Sequence, residues 1–301
     1  MEKNEGIAVK KMLFIVNPCA GKRQVRKYLI RILDIFNRAD YEVITFITAR
    51  QGDCAQIARE RAGQVDLMVC AGGDGTFNEM ITGILDSGVS VAVGYIPCGS
   101  TNDFAKSLQL STNILKAAKA IVEGTEYPFD VGRFGNRYFS YVASFGAFTR
   151  ASYATPQSLK NALGHTAYVL EGIKELSQLK KLHIRFEMKN QQIEGDYIFG
   201  AVSNSTSVGG ILTLDPALVD MSDGLFELLL IRKPESFREL RECIQALRKK
   251  KYDCSVITFV TTDKVKIAAD PDMVWTLDGE REDGHAQVEV ENLYHAIRLI
   301  K

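Results

Sequence analysis

Apolar positions in the first 124 residues alternate between two spacings. Residues 12–16 form an unbroken apolar run that Asn17-Pro18 ends, which reads as a first strand. Val25, Tyr28, Leu29, Ile32, Leu33 and Phe36 then recur at helical spacing and mark one apolar face. Residues 41–47 return to a strand-like pattern through Val43, Phe46 and Ile47. A helix is predicted from Asp53, behind Gly52, to Gly63. Residues 65–71 are almost wholly apolar, as a parallel strand covered on both faces must be. Met80, Ile81, Ile84 and Leu85 mark a helix closed by Gly88, and residues 89–96 make a further buried strand that stops at Pro97. Phe104 and Leu108 sit on a short helix beyond it. This alternation predicts an α/β domain with a parallel sheet and helices on its faces.

The texture changes near Gly124. Residues 127–134 and 137–145 are apolar-aromatic segments parted by Gly135-Asn136, a hairpin signal. A mainly helical stretch is predicted over 158–179, then strands at 182–188, 197–202, 225–231, 255–260, 264–268, 274–277 and 286–290. One helix, 235–251 behind Pro234, interrupts them. Consecutive strands with turns between them predict a second, mainly antiparallel β-sandwich domain. The division reads as 8–130 and 131–290, with residues 291–301 either ending the second domain or returning to the first.

Charge and cysteine usage narrow the function classes. Lys plus Arg equal Asp plus Glu at 37 each, so no net field draws the chain to nucleic acid. Contact with a membrane would have to come from a local patch. No apolar stretch approaches the roughly 18 residues of a membrane span. The run behind Lys10-Lys11 is too short for a signal peptide. Cys19, Cys54, Cys70, Cys98, Cys243 and Cys254 contain no C-x-x-C pair, which fits free thiols in a reducing compartment and a cytoplasmic protein.

The chemistry concentrates in glycine-rich loops, all at the carboxyl ends of predicted strands, where ligands sit in such sheets. Holding Mg-ATP requires backbone close to the phosphates, N–H groups aimed at them, and carboxylate for a hard cation. Gly72-Gly73-Asp74-Gly75-Thr76 supplies all three between a strand and a helix. A tight strand–helix turn also needs glycine for structural reasons alone. Neither a G-x-x-x-x-G-K-[ST] nor a G-x-G-x-x-G pattern occurs, which disfavours the common nucleotide folds.

The segment "GGDGTFNE" resembles the nucleotide loop of the diacylglycerol kinase–sphingosine kinase superfamily, a loop also found in NAD kinases and phosphofructokinases. "IPCGSTNDFA" is similar to a second motif of the lipid kinases. "FIVNPCAGKR", "TARQGDCAQIA", "YPFDVGRFGNRYFSYVASFGA" and "LDGE" resemble further segments of that superfamily, in its order. The resemblance implies a nucleotide-binding α/β domain of NAD kinase/phosphofructokinase type, a β-sandwich, and a cleft between them. It implies ATP as phosphoryl donor, Mg²⁺ as cofactor, and a membrane lipid, diacylglycerol foremost, as acceptor. Sphingoid bases, phosphatidylglycerol and polyprenols are the other acceptors in the superfamily. A homodimer, peripheral membrane contact and a transient place at the inner face of the membrane follow from the same resemblance.

Carried onto this sequence, Asn17 and Thr48 contact the nucleotide, as does Ser100, which stands where the family usually has Thr. Gly72, Gly73, Gly75, Thr76 and Asn78 surround the phosphates, with Asp74 on the Mg²⁺ shell. Asp103 holds Asp74 and metal-bound water; its plainer reading is an N-cap. Asp278 is the expected general base, with Glu280 second, and the plainer reading of Asp278-Gly279 is a β-turn. The backbone carbonyls of Asp220 and Leu225 and the carboxylate of Asp223 match a structural Mg²⁺ loop of bacterial members. The preceding stretch, Asn204 to Gly210, departs from the family's pattern.

Lys22 and Arg23 either neutralise phosphate or are solvated. Arg248-Lys249-Lys250-Lys251 complements a helix C-terminus or faces a membrane. Phe145, Phe148 and Tyr153 pack a core or line a lipid entrance, and His165 and His183 carry no assigned chemistry. The rival functions are an NAD kinase and a non-catalytic lipid- or nucleotide-binding module.

Overall fold

A computed structural model describes residues 9–100, 102–147, 179–208 and 212–301. The helix predicted over 158–179, apart from Leu179, lies outside the described residues, as do Phe148, Tyr153, His165, Gly209 and Gly210. The chain divides into two compact units: one runs up to Phe129 and takes back Ala296–Lys301, and the other is Asp130–His295.

In the first unit, strands β1 (Lys10–Val16), β2 (Tyr41–Ile47), β3 (Leu67–Gly72) and β4 (Ala92–Pro97) alternate with helices α1 (Val25–Arg38), α2 (Asp53–Arg61) and α3 (Asp74–Ser87). Helices α4 (Asp103–Ser107) and α5 (Ile114–Glu123) follow β4. The strands pair in parallel in the order β2-β1-β3-β4. Every residue of β3 and β4 is buried, which is why both read as unbroken apolar runs. Phe14, Phe36, Val69, Ile96 and Ile121 belong to one core of the unit. Because the sheet is parallel, the loops after Val16, Ile47, Gly72 and Pro97 all leave from one end.

The second unit is antiparallel. Its strands include part of β5 (Glu126–Phe134), then β6 (Arg137–Phe139), β7 (Val142–Gly146), β8 (Leu182–Glu187), β9 (Gln192–Ser203) and the short β10 (Ser207–Val208) and β11 (Leu212–Thr213). They continue with β12 (Phe226–Arg232), β13 (Ile257–Thr262), β14 (Lys264–Ala269), β15 (Trp275–Leu277), β16 (Glu280–Glu282) and part of β17 (Gln287–Ile300). Strand β9 pairs β7, β8 and β12, while β14 joins β8 to β17. Phe134, Phe139, Phe145, Phe186, Phe226 and Trp275 meet in a single core. Phe145 is thus a core side chain, 1% exposed and edge-on to Trp275 at 4.9 Å. Helix α6 (Phe237–Lys249) buries Leu240, Cys243, Ile244 and Ala246 and is capped by Ser236.

Two strands exceed what periodicity predicts. β9 begins at Gln192 rather than at 197, because its first half is an exposed polar edge of alternating burial paired to β8. β17 continues past residue 290: its first half pairs β14, and Arg298 and Leu299 pair β4 in parallel within the first unit. His295, at φ 49°, interrupts the extended backbone between these stretches.

Candidate active site

In the first unit three glycine loops touch backbone to backbone. A Cβ on Gly21 would lie 2.3 Å from the carbonyl oxygen of Cys98, and one on Gly99 would lie 2.7 Å from the Cα of Gly73. No residue with a side chain fits at these contacts. Backbone bonds lock the same loops: Asn17 N–H donates to Ala71 at 2.9 Å, Thr48 N–H to Val16 at 3.0 Å, and Cys98 N–H to Gly72 at 2.7 Å. Asn17 Nδ2 donates to Thr76 Oγ1 at 2.9 Å, so two of the sequence-predicted nucleotide residues support each other. Thr48 Oγ1 points to Val16 O at 3.4 Å.

Helix α3 starts at Asp74, and its N-cap residue, Gly73, offers no side-chain acceptor. The Asp74 carboxylate reaches the other glycine loop, where Oδ2 accepts the N–H of Asp103 at 3.0 Å. Asp74 therefore caps the start of α4 from outside it. The loop before α4 is held in shape by Asn102, at φ 51°, whose Oδ1 accepts the Gly99 N–H at 2.8 Å. Burial pushes the Asp74 carboxyl above the usual range; the Asp103 charge adds to this, and the N–H groups of Asp103 and Phe104 oppose it.

Asp103 is buried, and its Oδ1 accepts no hydrogen bond, with Lys106 Nζ 3.5 Å away. A buried carboxylate oxygen without a hydrogen bond, beside the half-buried Asp74 carboxylate, suits a hard, oxygen-seeking cation. Among the described residues no three His, Cys, Asp or Glu side chains cluster closely enough to hold a metal by themselves. Mg²⁺ keeps several waters and takes one or two carboxylates plus substrate phosphates, so this pair fits it. Ser100 is exposed, as are Lys22 and Arg23, while Asn78 is half-buried on α3.

In the second unit, Asp278 and Gly279 form the two-residue turn between β15 and β16, with φ of 49° and 85°. Positive φ at both positions is what a twisted hairpin demands, so the turn reading of Asp-Gly holds. The Asp278 side chain is occupied as well. Only 7% exposed, it accepts the N–H groups of Ser140, of Tyr141 at 3.0 Å and of Val142 at 3.0 Å. Glu280 differs: its side chain is 46% exposed and meets Arg137 Nη2 at 3.4 Å. Arg137 also binds Glu282 at 2.6 Å.

The 220–225 loop is closed by its own bonds. Asp220 Oδ1 accepts Ser222 N–H and Oγ–H at 3.0 and 2.9 Å, and Asp223 Oδ1 accepts the Leu225 N–H at 2.8 Å. The Leu225 carbonyl accepts from Asn292 Nδ2 at 3.1 Å. These bonds give the loop its shape and engage Asp223 Oδ1 and the Leu225 carbonyl, two of the expected cation ligands.

Three residues that sequence reading passed over hold these features in place. Asp130, fully buried, accepts the N–H of Gly224 and of His295 at 2.7 Å each, tying the 220–225 loop to the bend in β17. Tyr95 brings its hydroxyl to 3.4 Å from Gly72 O and 3.5 Å from Asp74 Oδ1. Burial pushes its pKa well up, so it stays a neutral donor. Arg137 is the third. Only Asp130 carried a signal, as an acid inside an apolar strand run.

Residues 11–134 match the diacylglycerol kinase catalytic domain family, and residues 142–301 match the YegS C-terminal NAD kinase beta sandwich-like domain family. A diacylglycerol kinase of Bacillus subtilis (strain 168) is 33% identical over 294 residues, covering 97% of this chain and 96% of that one. The chain belongs to the diacylglycerol kinase family. Another family member, a diacylglycerol kinase of Staphylococcus saprophyticus, is 31% identical over 90% of this chain and 89% of its own. Among solved structures, a candidate diacylglycerol kinase from Bacillus anthracis superposes with a TM-score of 0.79 at 25% identity, covering 100% of this chain and 98% of that one. Diacylglycerol kinase family membership makes this a transferase of the kinase type and implies a nucleotide as phosphoryl donor. Among the described residues, no helix is long and apolar enough to cross a membrane.

Proposed function

We propose that the protein transfers the γ-phosphoryl group of Mg-ATP to the hydroxyl of diacylglycerol, giving phosphatidic acid. The observation that carries this reading is the Asp74 carboxylate, half-buried beside touching glycine loops and bonded across them to the N–H of Asp103. Glycine at Gly72, Gly73 and Gly99 lets the loops pack backbone to backbone, and the start of α3, without a side-chain cap, would present N–H groups to phosphate oxygens. Asn17, Thr48, Asn78 and Ser100 would line the rest of the nucleotide site. Asp74 and Asp103 would hold Mg²⁺, whose chemistry there is to neutralise charge on the transferring phosphoryl group.

We assign proton acceptance to Glu280 rather than to Asp278. A carboxylate already accepting three backbone N–H groups is poorly disposed to take a further proton, whereas Glu280 is half-exposed with one long contact. In the step proposed, the acceptor hydroxyl oxygen bonds to the γ-phosphorus and the bond to the β-bridging oxygen breaks. The hydroxyl proton passes to a Glu280 oxygen, and ADP leaves. Asp278 acts as a positioning residue that fixes the start of β7 against the hairpin carrying Glu280. The structural-cation reading of Asp220, Asp223 and Leu225 stands apart from this step and is tested by cation-dependent unfolding.

The test is direct. Purified protein, Mg-ATP and mixed micelles of diacylglycerol should yield phosphatidic acid by mass analysis, with NAD left unphosphorylated in a parallel reaction. Absence of any phosphorylated lipid across sphingoid bases, phosphatidylglycerol and polyprenols as well would sink the proposal.

A further inference from the structure

Helix α6 uses its apolar side inside its own unit, where Leu240, Cys243, Ile244 and Ala246 are buried. Its opposite side is exposed at Phe237, Arg241, Gln245 and Arg248, which recur at helical spacing, with Arg238 and Lys249 beside them. Residues 233–251 contain seven Lys or Arg (Lys233, Arg238, Arg241, Arg248, Lys249, Lys250, Lys251) and three Glu (Glu235, Glu239, Glu242). The segment thus has an excess of four positive charges in a chain that balances at 37 and 37, so the remainder has four more acids than bases.

The acids of this segment have work inside it. Glu239 accepts the N–H of Glu235 at 2.8 Å, and Glu242 binds Arg238 at 2.8 Å. Glu235 lies 3.8 Å from Lys181, which brings the exposed Lys180 and Lys181 to the same end of the helix. Cations in a last helical turn are favoured by the helix dipole, which accounts for Arg248 and Lys249. It accounts neither for Arg241 at mid-helix nor for Phe237, 46% exposed in the first turn.

We infer that this face of α6, with Lys180 and Lys181, docks the protein on the anionic surface of a lipid bilayer. Basic clusters attract anionic headgroups over about one Debye length, and an exposed aromatic ring suits the headgroup layer. The inference rests on the proposed lipid acceptor: an enzyme with a bilayer-embedded substrate, and no membrane-crossing helix among the described residues, needs a surface for contact. The balanced charge of the whole chain argues against a general nucleic-acid binder.

The experiment is co-sedimentation of the full chain with phosphatidylcholine vesicles, with and without phosphatidylglycerol, in the absence of ATP and diacylglycerol. Binding is expected to anionic vesicles alone, to weaken with added salt, and to fall about tenfold in the triple variant Arg241→Gln, Arg248→Gln, Lys249→Gln. That variant should keep its activity on a short-chain, water-dispersible diacylglycerol. If it unfolds, the pair Arg241→Gln and Lys251→Gln serves instead, with a smaller loss. Phe237→Ser should weaken the binding that persists in salt. Unchanged vesicle binding in the folded variants overturns the inference, as does wild-type protein that ignores anionic vesicles yet retains DNA or an acidic protein through this face. The assay contains no reaction, so docking without kinase activity would sink the proposed function alone, and activity without docking would sink this inference alone.

Discussion

The carboxylate of Asp74 accepts the backbone N–H of Asp103 at 3.0 Å, joining the first residue of α3 to the first residue of α4. One side chain thereby belongs to two loops at once, and its charge and its acceptor oxygen can be separated by substitution. Asp74→Asn keeps an oxygen for the Asp103 N–H and removes the charge. It should lower kcat about a hundredfold or more, the scale of one electrostatic contact to a developing transition state, with little change in Tm. Asp74→Ala should lose both activity and Tm. Asn retaining more than a tenth of wild-type activity would place Asp74 outside the metal shell.

Asp278 and Glu280, two residues apart, should behave differently. Asp278→Asn sets an amide N–H₂ against backbone donors and should cost about 2–3 kcal/mol of stability, read by urea unfolding. Glu280→Gln should leave stability unchanged and lower kcat by about 10² or more, as loss of a general base does. The reverse pattern, a stable but inactive Asp278→Asn beside an active Glu280→Gln, would return the base to Asp278.

Gly72 and Gly88 form a matched pair of tests. A Cβ on Gly72 would lie 2.4 Å from the Cβ of Thr76, while one on Gly88 meets nothing within 4 Å. Gly72→Ala should therefore displace Thr76 from Asn17 and weaken ATP binding about tenfold or more, by calorimetry. Gly88→Ala, at φ 68°, should cost about 1 kcal/mol of stability from backbone strain and leave ATP binding intact. Equal nucleotide affinity in both variants would argue that the Gly72 loop does not hold phosphate.

Glu227 on β12 is 1% exposed and its Oε2 has no hydrogen-bond partner. Burial, followed by the charges of Asp223 and Asp220, pushes its pKa up to about 8 from 4.5. Between those pH values the folded state binds a proton that the unfolded state lacks. Stability should therefore fall as pH rises through that window, by at most about 1.4 kcal/mol per pH unit. Glu227→Gln should flatten this slope, gaining stability near pH 8 and little near pH 4.5. Parallel unfolding curves against pH for the two proteins would show that Glu227 is charged in the fold.

The elements of the first unit were legible because each is a local pattern. A buried parallel strand such as β3 must be apolar throughout, and a helix such as α1 must repeat its apolar face at Ile32 and Phe36. The first half of β9 was not legible, because Gly195 leaves a gap between the inward-facing Ile193 and Tyr197 while Glu194 and Asp196 are exposed. β16 is three charged residues that are a strand only through pairing with β15.

Spacing and residue type along the chain determined the α/β-then-antiparallel order and the glycine loops, through their resemblance the family, and also the position of every carboxylate discussed. The sequence could not say which carboxylates are already engaged. That depends on backbone donors remote in the chain: Ser140, Tyr141 and Val142 on Asp278, Gly224 and His295 on Asp130, and Asp103 on Asp74. A carboxylate's role follows from which donors surround it, and only folding brings those donors near.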